Sequence, residues 1–166
     1  EPVLIMPAWI MKYYILDLSE QNSLIKDLVD QGHTVFCLSW KNPLAEDHAF
    51  GMDDYIRLGW KASLDAVNAI VPGQKIHATG YCLGGTFTAI AAAALAPPEA
   101  STSSPSPLAS LTLMAAETDF SEPGEMGVLI DAAQVDEWLY RPGLPAFAVL
   151  KTSDVFPQVD AARDAW

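Results

Sequence analysis

Cysteine, histidine and basic residues are scarce in this chain, and each scarcity excludes something. Only two of its 166 residues are cysteine, at positions 37 and 82. They have no paired spacing, which excludes a disulfide framework and fits a reducing, cytoplasmic compartment. Nine basic residues stand against 21 acidic ones, a formal charge of −12. No basic stripe exists for a nucleic acid to follow, and the long-range field would not draw in an anionic ligand. No apolar run reaches the roughly 18 residues of a membrane-spanning helix. No signal peptide and no internal repeat is visible. Histidine occurs only at 33, 48 and 77. Apolar residues are plentiful, at 51%, enough for a core and too many for a disordered segment.

The length allows one domain at most, and a large single α/β domain usually needs roughly 200–250 residues. The chain opens Glu1-Pro2 without methionine and closes Asp164-Ala165-Trp166. It is therefore expected to be a piece of a longer protein.

Hydrophobic patterning predicts alternating strands and helices. Val3-Leu4-Ile5-Met6 is a short apolar run of buried-strand type, stopped by Pro7. Ser19 is placed to cap a helix over residues 20–31, ended by Gly32. Thr34 to Ser39 follows as a strand, apolar enough for a parallel sheet covered on both faces. A long helix is expected from Met52 to Ile70, with Tyr55, Ile56, Gly59, Ala62, Ala66, Val67 and Ile70 along one side and Pro72-Gly73 closing it. A strand over Lys75–Thr79, a helix over Thr86–Leu95, a low-complexity loop over 97–107 and a strand over Leu111–Met114 complete the order. This is the β-α-β rhythm of an α/β fold with a parallel sheet. After Ala116 the rhythm breaks, with prolines and glycines at 123, 124, 127, 142, 143, 145 and 157 and short helices expected near 131–140 and 145–153. The predicted organisation is thus residues 1–118 as the N-terminal half of an α/β core and 119–166 as part of a lid.

The richest local signal is Gly80-Tyr81-Cys82-Leu83-Gly84-Gly85, set between a strand and an alanine-rich helix. Strand, sharp turn and helix is the setting of the nucleophile elbow of α/β-hydrolases, whose pattern is G-x-S-x-G. Here cysteine holds the serine position. Gly80, Gly84 and Gly85 remove β-carbons that would collide where strand and helix meet. The sulfur of Cys82 would lie where unpaired N–H groups and the helix dipole attract negative charge. The Leu83 backbone N–H points to the same place as one half of an oxyanion hole. A cysteine taken alone is usually a small core residue, and Cys37, inside an apolar run, is expected to be one. The strand–GxCxGG–helix setting is what makes Cys82 the candidate nucleophile.

Several stretches together resemble the polyhydroxyalkanoate synthases. Residues 7–18, Pro-Ala-Trp-Ile-Met-Lys-Tyr-Tyr-Ile-Leu-Asp-Leu, are similar to the family's PPWINKYYILDL. Gln31-Gly32-His33-Thr34-Val35-Phe36 and Ser39-Trp40-Lys41-Asn42-Pro43 are similar to QGHTVF and SWxNP. The elbow is a third match. Residues 119–128 are similar to DFxxxGELGVF, and residues 147–156 more loosely to FxxLRxNDLxW. Ala8, Met11, Ser153 and Phe156 depart from the family pattern. The resemblance implies a truncated α/β-hydrolase-type sheet and an acyltransferase that polymerises 3-hydroxyacyl-coenzyme A thioesters into polyester through a Cys82 thioester. It further implies a second oxyanion N–H from the loop at Trp9 or Ile10, no metal and no cofactor. A cytoplasmic location at storage granules and a homodimer of the parent protein complete the picture. Trp9, Ile10, Trp40 and Phe87 would shield the acyl-enzyme from water.

In α/β-hydrolases the chain order is nucleophile, acid, histidine, yet no histidine follows Cys82. His33 is expected at the sheet end opposite the elbow, His48 in a polar loop, and His77 in the strand about 16 Å before the elbow. None has the reach of a general base, so the isolated chain is expected to be inactive. Two other readings stay open: a cysteine hydrolase of dienelactone hydrolase type, whose elbow can read the same, and a non-catalytic homologue serving in granule assembly.

Overall fold

The computed structural model describes residues 1–10, 12–42, 44–94, 106–119 and 121. Four strands build the main sheet: β1 (Pro2–Met6), β4 (Thr34–Cys37), β5 (Ile76–Tyr81) and β6 (Leu108–Met114). Their spatial order is β4-β1-β5-β6, and every neighbouring pair is parallel. This is the α/β arrangement that the sequence predicts, a parallel sheet with flanking helices of truncated α/β-hydrolase type. All five residues of β1 are buried, as its uninterrupted apolar run requires of a central parallel strand.

The order of the strands also locates a crevice. From β1 the chain crosses to β4 on one side, then returns to place β5 and β6 on the other. Loops leaving the C-terminal ends of β1 and β5 therefore diverge, and such a reversal point is where open α/β sheets bind ligands. Met6 and Gly80 are register partners at those ends. The two loops that follow, beginning at Pro7 and Cys82, are neighbours by construction.

Three expectations need correction. The helix expected over 20–31 is α1 (Leu24–Asp30), and its cap is Ser23 rather than Ser19. The Ser23 hydroxyl oxygen accepts the Lys26 N–H at 2.8 Å. Ser19 is instead taken by a small antiparallel ribbon, β2 (Asp17–Ser19) with β3 (Asn22–Ser23). Gly32 does end the helix, at φ 91°. Second, β4 stops at Cys37; the Leu38 N–H still reaches the Ile5 carbonyl at 3.0 Å, but Ser39 lies beyond the strand.

The third correction concerns the long helix, whose ends are as expected but whose middle is not. It runs as α2 (Met52–Asp54), a π-helical stretch Tyr55–Lys61 and α3 (Ala62–Ile70). A π turn closes i to i+5 bonds and so holds more residues than an α turn. That rotates the later turns relative to an α-helical projection. The buried residues are Met52, Gly59, Trp60, Leu64 and Val67, while Ala62 and Ala66 are exposed and Ile70 is 66% exposed. Trp60 and Leu64 are thus the core face, which the α-helical period misses.

The core joins Leu4 and Met6 of β1, Ile76 of β5, Met52, Trp60, Leu64 and Val67 of the long helix, and Phe87 and Ala91 of α4 (Leu83–Ala94). Residues 84–91 of α4 are all buried, as expected of a helix apolar on every side. Most of the loop 97–107, the helices expected at 131–140 and 145–153 and nearly all of the lid region 119–166 lie outside the described residues. Among the described residues no helix is long and apolar enough to cross a membrane.

Candidate active site

Cys82 sits in the one-residue turn between β5 and α4, with φ 54°. That is the left-handed region, which costs an L-residue about 1–2 kcal/mol. Hydrogen bonds hold the turn on both sides. The Cys82 N–H donates to the Met114 carbonyl at 2.9 Å, and the Cys82 carbonyl accepts the Gly85 N–H at 2.8 Å and the Thr86 N–H at 3.3 Å. A turn so sharp drives the start of α4 into its neighbours. A β-carbon on Gly80 would strike the Gly85 backbone, and one on Gly84 would lie 2.6 Å from the Pro7 carbonyl carbon and 2.7 Å from its oxygen. The glycines are therefore set by backbone crowding, as the motif suggests.

The close approach at Gly84 brings the loop after β1 against α4, the helix that follows Cys82. Pro7 and Ala8 are buried, Trp9 is half-buried and Ile10 is 43% exposed. Leu83 opens α4, and the first N–H groups of a helix have no partner within it. The loop that leads to Trp9 and Ile10 thus packs against the start of α4, whose first residue, Leu83, follows Cys82. The loop is tied down from above. Trp40 Nε1–H donates to the Pro7 carbonyl at 2.8 Å, and Lys12 Nζ donates to Asn42 Oδ1 at 2.9 Å. Two motifs some thirty residues apart in the chain are thereby one surface.

Aromatic rings fill the space behind that loop. Trp9 packs on Trp40, Tyr55 and Phe87 with ring centroids 6.2, 5.6 and 5.8 Å apart. Trp40 packs on Tyr55 and Phe87 at 5.6 and 5.8 Å. Edge-to-face and tilted pairs of this kind add about 0.5–1.5 kcal/mol each beyond their burial. Phe87, wholly buried, couples the cluster to α4 five residues after Cys82. Trp9, Trp40 and Phe87 are expected here from the sequence; Tyr55, delivered by the π-helical stretch, is not. Beside the cluster lies an open cavity of about 310 Å³ lined by Leu38, Phe50, Leu58 and the Lys41–Asp47 pair among others.

The third side of the elbow comes from the segment after β6, which sequence reasoning missed. Ala115 is left-handed at φ 48°, and a β-carbon on Gly85 would strike that of Ala116. The Thr86 hydroxyl donates to the Glu117 carbonyl at 2.6 Å. Neither alanine carries a signal in its type. Thr86 is the readable clue, a polar residue opening a buried helix.

The histidines fall away from the turn. His33 immediately precedes β4, at the sheet end opposite Cys82. His48 lies in a 3₁₀ turn, Ala45–Ala49, with Nδ1 2.8 Å from the Ala45 carbonyl. His77, within β5, has Nδ1 2.8 Å from Ser110 Oγ and Nε2 3.2 Å from Glu1. Cys37 is a half-buried free thiol whose pKa is pushed up to about 11, by burial first and by the charge of Asp17 second. Asp47, buried, is held below the usual carboxylate range by the Leu44 N–H and then by Lys41. Among the described residues no cluster of histidine, cysteine and carboxylates could hold a metal ion.

Comparisons with known proteins point one way. The family described as "Poly-beta-hydroxybutyrate polymerase (PhaC) N-terminus" matches residues 1–28. The chain is 39% identical over 134 residues to the poly(3-hydroxyalkanoate) polymerase subunit PhaC of Cupriavidus necator, covering 81% of this chain and 22% of that protein. It is 37% identical over 134 residues to the poly(3-hydroxyalkanoate) polymerase of Methylorubrum extorquens, covering 81% and 21%. Against the subunit of Haloferax mediterranei it is 33% identical over 141 residues, covering 85% and 26%. The chain therefore spans about a fifth of the length of the curated relatives it matches most strongly.

Proposed function

Since the chain belongs with the poly(3-hydroxyalkanoate) polymerases, matching them over four fifths of its own length, we propose that its parent protein polymerises 3-hydroxyacyl-coenzyme A thioesters on Cys82. The observation that carries the reading is the elbow. A cysteine at φ 54° stands at the reversal point of a parallel sheet, beside glycines where an added β-carbon would strike neighbouring backbone or side chain.

The chemistry follows from the groups around it. The Cys82 thiolate attacks the thioester carbonyl, forming a carbon–sulfur bond. Negative charge gathers on the carbonyl oxygen, where N–H groups of Leu83 and of Trp9 or Ile10 stabilise it. The intermediate collapses with loss of the coenzyme A thiolate, leaving the acyl group on Cys82. The hydroxyl of another hydroxyacyl unit then attacks that thioester. Its proton passes to a base, an ester bond forms, and the thiolate is released. Exchange between two thioesters is nearly balanced, so the acyl-enzyme lasts long enough for transfer. The aromatic cluster behind the Trp9 loop keeps water from it.

The base is not His33, His48 or His77, all of which are engaged or placed elsewhere. We assign it to a histidine outside residues 1–166, preceded in the chain by its acid partner, and residues 1–166 alone are inactive. The setting is the cytoplasm at the surface of polyester granules, with the parent protein as a homodimer. No cofactor or metal enters.

The test uses the full-length protein with 3-hydroxybutyryl-coenzyme A, following both coenzyme A release and polymer. Cys82→Ala is expected to abolish both while leaving the melting temperature within a few degrees. Free hydroxy acid in place of polymer would assign a hydrolase instead. Polymer from Cys82→Ala would assign another nucleophile.

A further inference from the structure

We infer that Trp40 is a positioning residue for the oxyanion donors, an inference that rests on the acyl-transfer reading above. Its indole holds the backbone of the loop that packs against the start of α4. The Trp40 Nε1–H donates to the Pro7 carbonyl at 2.8 Å. The same Pro7 carbonyl group also packs close to Gly84, where an added β-carbon would lie 2.6 Å from its carbon and 2.7 Å from its oxygen. The Pro7–Ala8 peptide is thus gripped between an indole donor and the first turn of α4.

A peptide unit is planar, so orienting its carbonyl fixes the direction in which the chain leaves toward Trp9 and Ile10. Without the indole donor, a buried carbonyl would lack its partner and the peptide would be free to rotate. The N–H groups one and two residues on would then lose their aim. Electrostatic stabilisation of an oxyanion depends on donors already in place before the charge develops.

The donor is itself held by shape. A β-carbon on Gly59 would lie 2.6 Å from both Cη2 and Cζ3 of Trp40, so the ring rests directly on the π-helical backbone. Trp9, Tyr55 and Phe87 pack against the same ring. The Lys12–Asn42 hydrogen bond closes the same two loops farther out. The π-helical stretch therefore seats the tryptophan that aims the loop.

The decisive variant replaces Trp40 by benzothienylalanine in the full-length protein, exchanging the N–H for sulfur with the ring shape kept. Acylation by 3-hydroxybutyryl-coenzyme A, read as thiol release in a single turnover, is expected to slow about 10–100-fold. KM is expected within about twofold and the melting temperature unchanged, the split of a group that acts on the transition state alone. Gly59→Ala, which pushes the same ring, is expected to give the same fall in kcat with little change in KM. Wild-type acylation by the benzothienylalanine protein would overturn the inference. So would equal changes in kcat and KM with a lowered melting temperature, the signature of a merely structural tryptophan. Cys82→Ala run alongside separates the two levels. Acylation surviving in that variant removes the nucleophile reading itself, whereas a Cys82-dependent acyl-enzyme formed at full rate in the Trp40 variant removes only the role of Trp40.

Discussion

Gly84→Ala tests the junction on which the site depends. The new methyl would lie 2.6 Å from the carbonyl carbon and 2.7 Å from the oxygen of Pro7, where ordinary van der Waals contact begins at 3.4 Å. The Met6 carbonyl oxygen at the end of β1 lies closer still, and all three obstacles are backbone, so no side chain can swing aside. Relief requires α4 and the Pro7 loop to separate by about 1 Å, which in a packed interior costs about 1–3 kcal/mol. The same displacement carries the loop's N–H groups away from the Cys82 turn, and an error of about 1 Å in a reacting geometry costs about 10²-fold in rate. Gly84→Ala in the full-length protein should therefore melt lower and acylate about a hundredfold more slowly. The assay is single-turnover thiol release from 3-hydroxybutyryl-coenzyme A beside a thermal melt. Gly51→Ala is the control, since nothing lies within 4 Å of that β-carbon. A Gly84→Ala protein that melts lower yet acylates at the wild-type rate would refute the placement of the oxyanion donors in the Pro7 loop. One that matches wild type in both would refute the contact itself.

Two further outcomes concern titrating groups. Cys37, with its pKa near 11, stays protonated in the fold beyond the ordinary value of 9.0. The stability this contributes is present below pH 9 and is lost as pH climbs through about 11. Iodoacetamide at pH 8 should label the Cys82 peptide and spare that of Cys37, by mass spectrometry; equal labelling would contradict the burial. The Asp47 carboxyl is depressed in the fold by the Leu44 N–H and Lys41, so its contribution is present above the ordinary carboxylate pKa and is lost as pH falls through the lower folded value. The melting-temperature gap between wild type and Asp47→Asn should be full at pH 6 and close below about pH 4. A gap independent of pH would show that the charge plays no part.

The legible parts are those fixed locally or by period. The apolar run of β1, the alternation of strands and helices and the glycine spacing of the elbow each follow from short-range rules. Ser19 and Ser23 show the limit: both are good caps, and the choice falls to a ribbon pairing that periodicity does not see. The π-helical stretch is not visible in the apolar period, and the close seat of Trp40 on Gly59 is a tertiary contact that a local reading does not see. The hydrogen bond from Trp40 to Pro7 joins two motifs whose resemblance is read separately, and only the sheet order makes them neighbours. Nothing in the alanines at 115 and 116 announces the loop that closes the third side of the turn.

The left-handed backbone at residue 82 sets function against folding. Glycine would occupy φ 54° without the penalty that cysteine meets there, about 1 kcal/mol. A library of this protein sorted only for thermal resistance is therefore expected to enrich glycine at 82, and on the proposed reading each variant carrying it would lose the nucleophile. Ala115, left-handed too, would drift the same way with no such loss of a reacting group. Of two similarly strained positions, the proposed chemistry gives only residue 82 a reason to refuse glycine, and a stability screen never samples that reason.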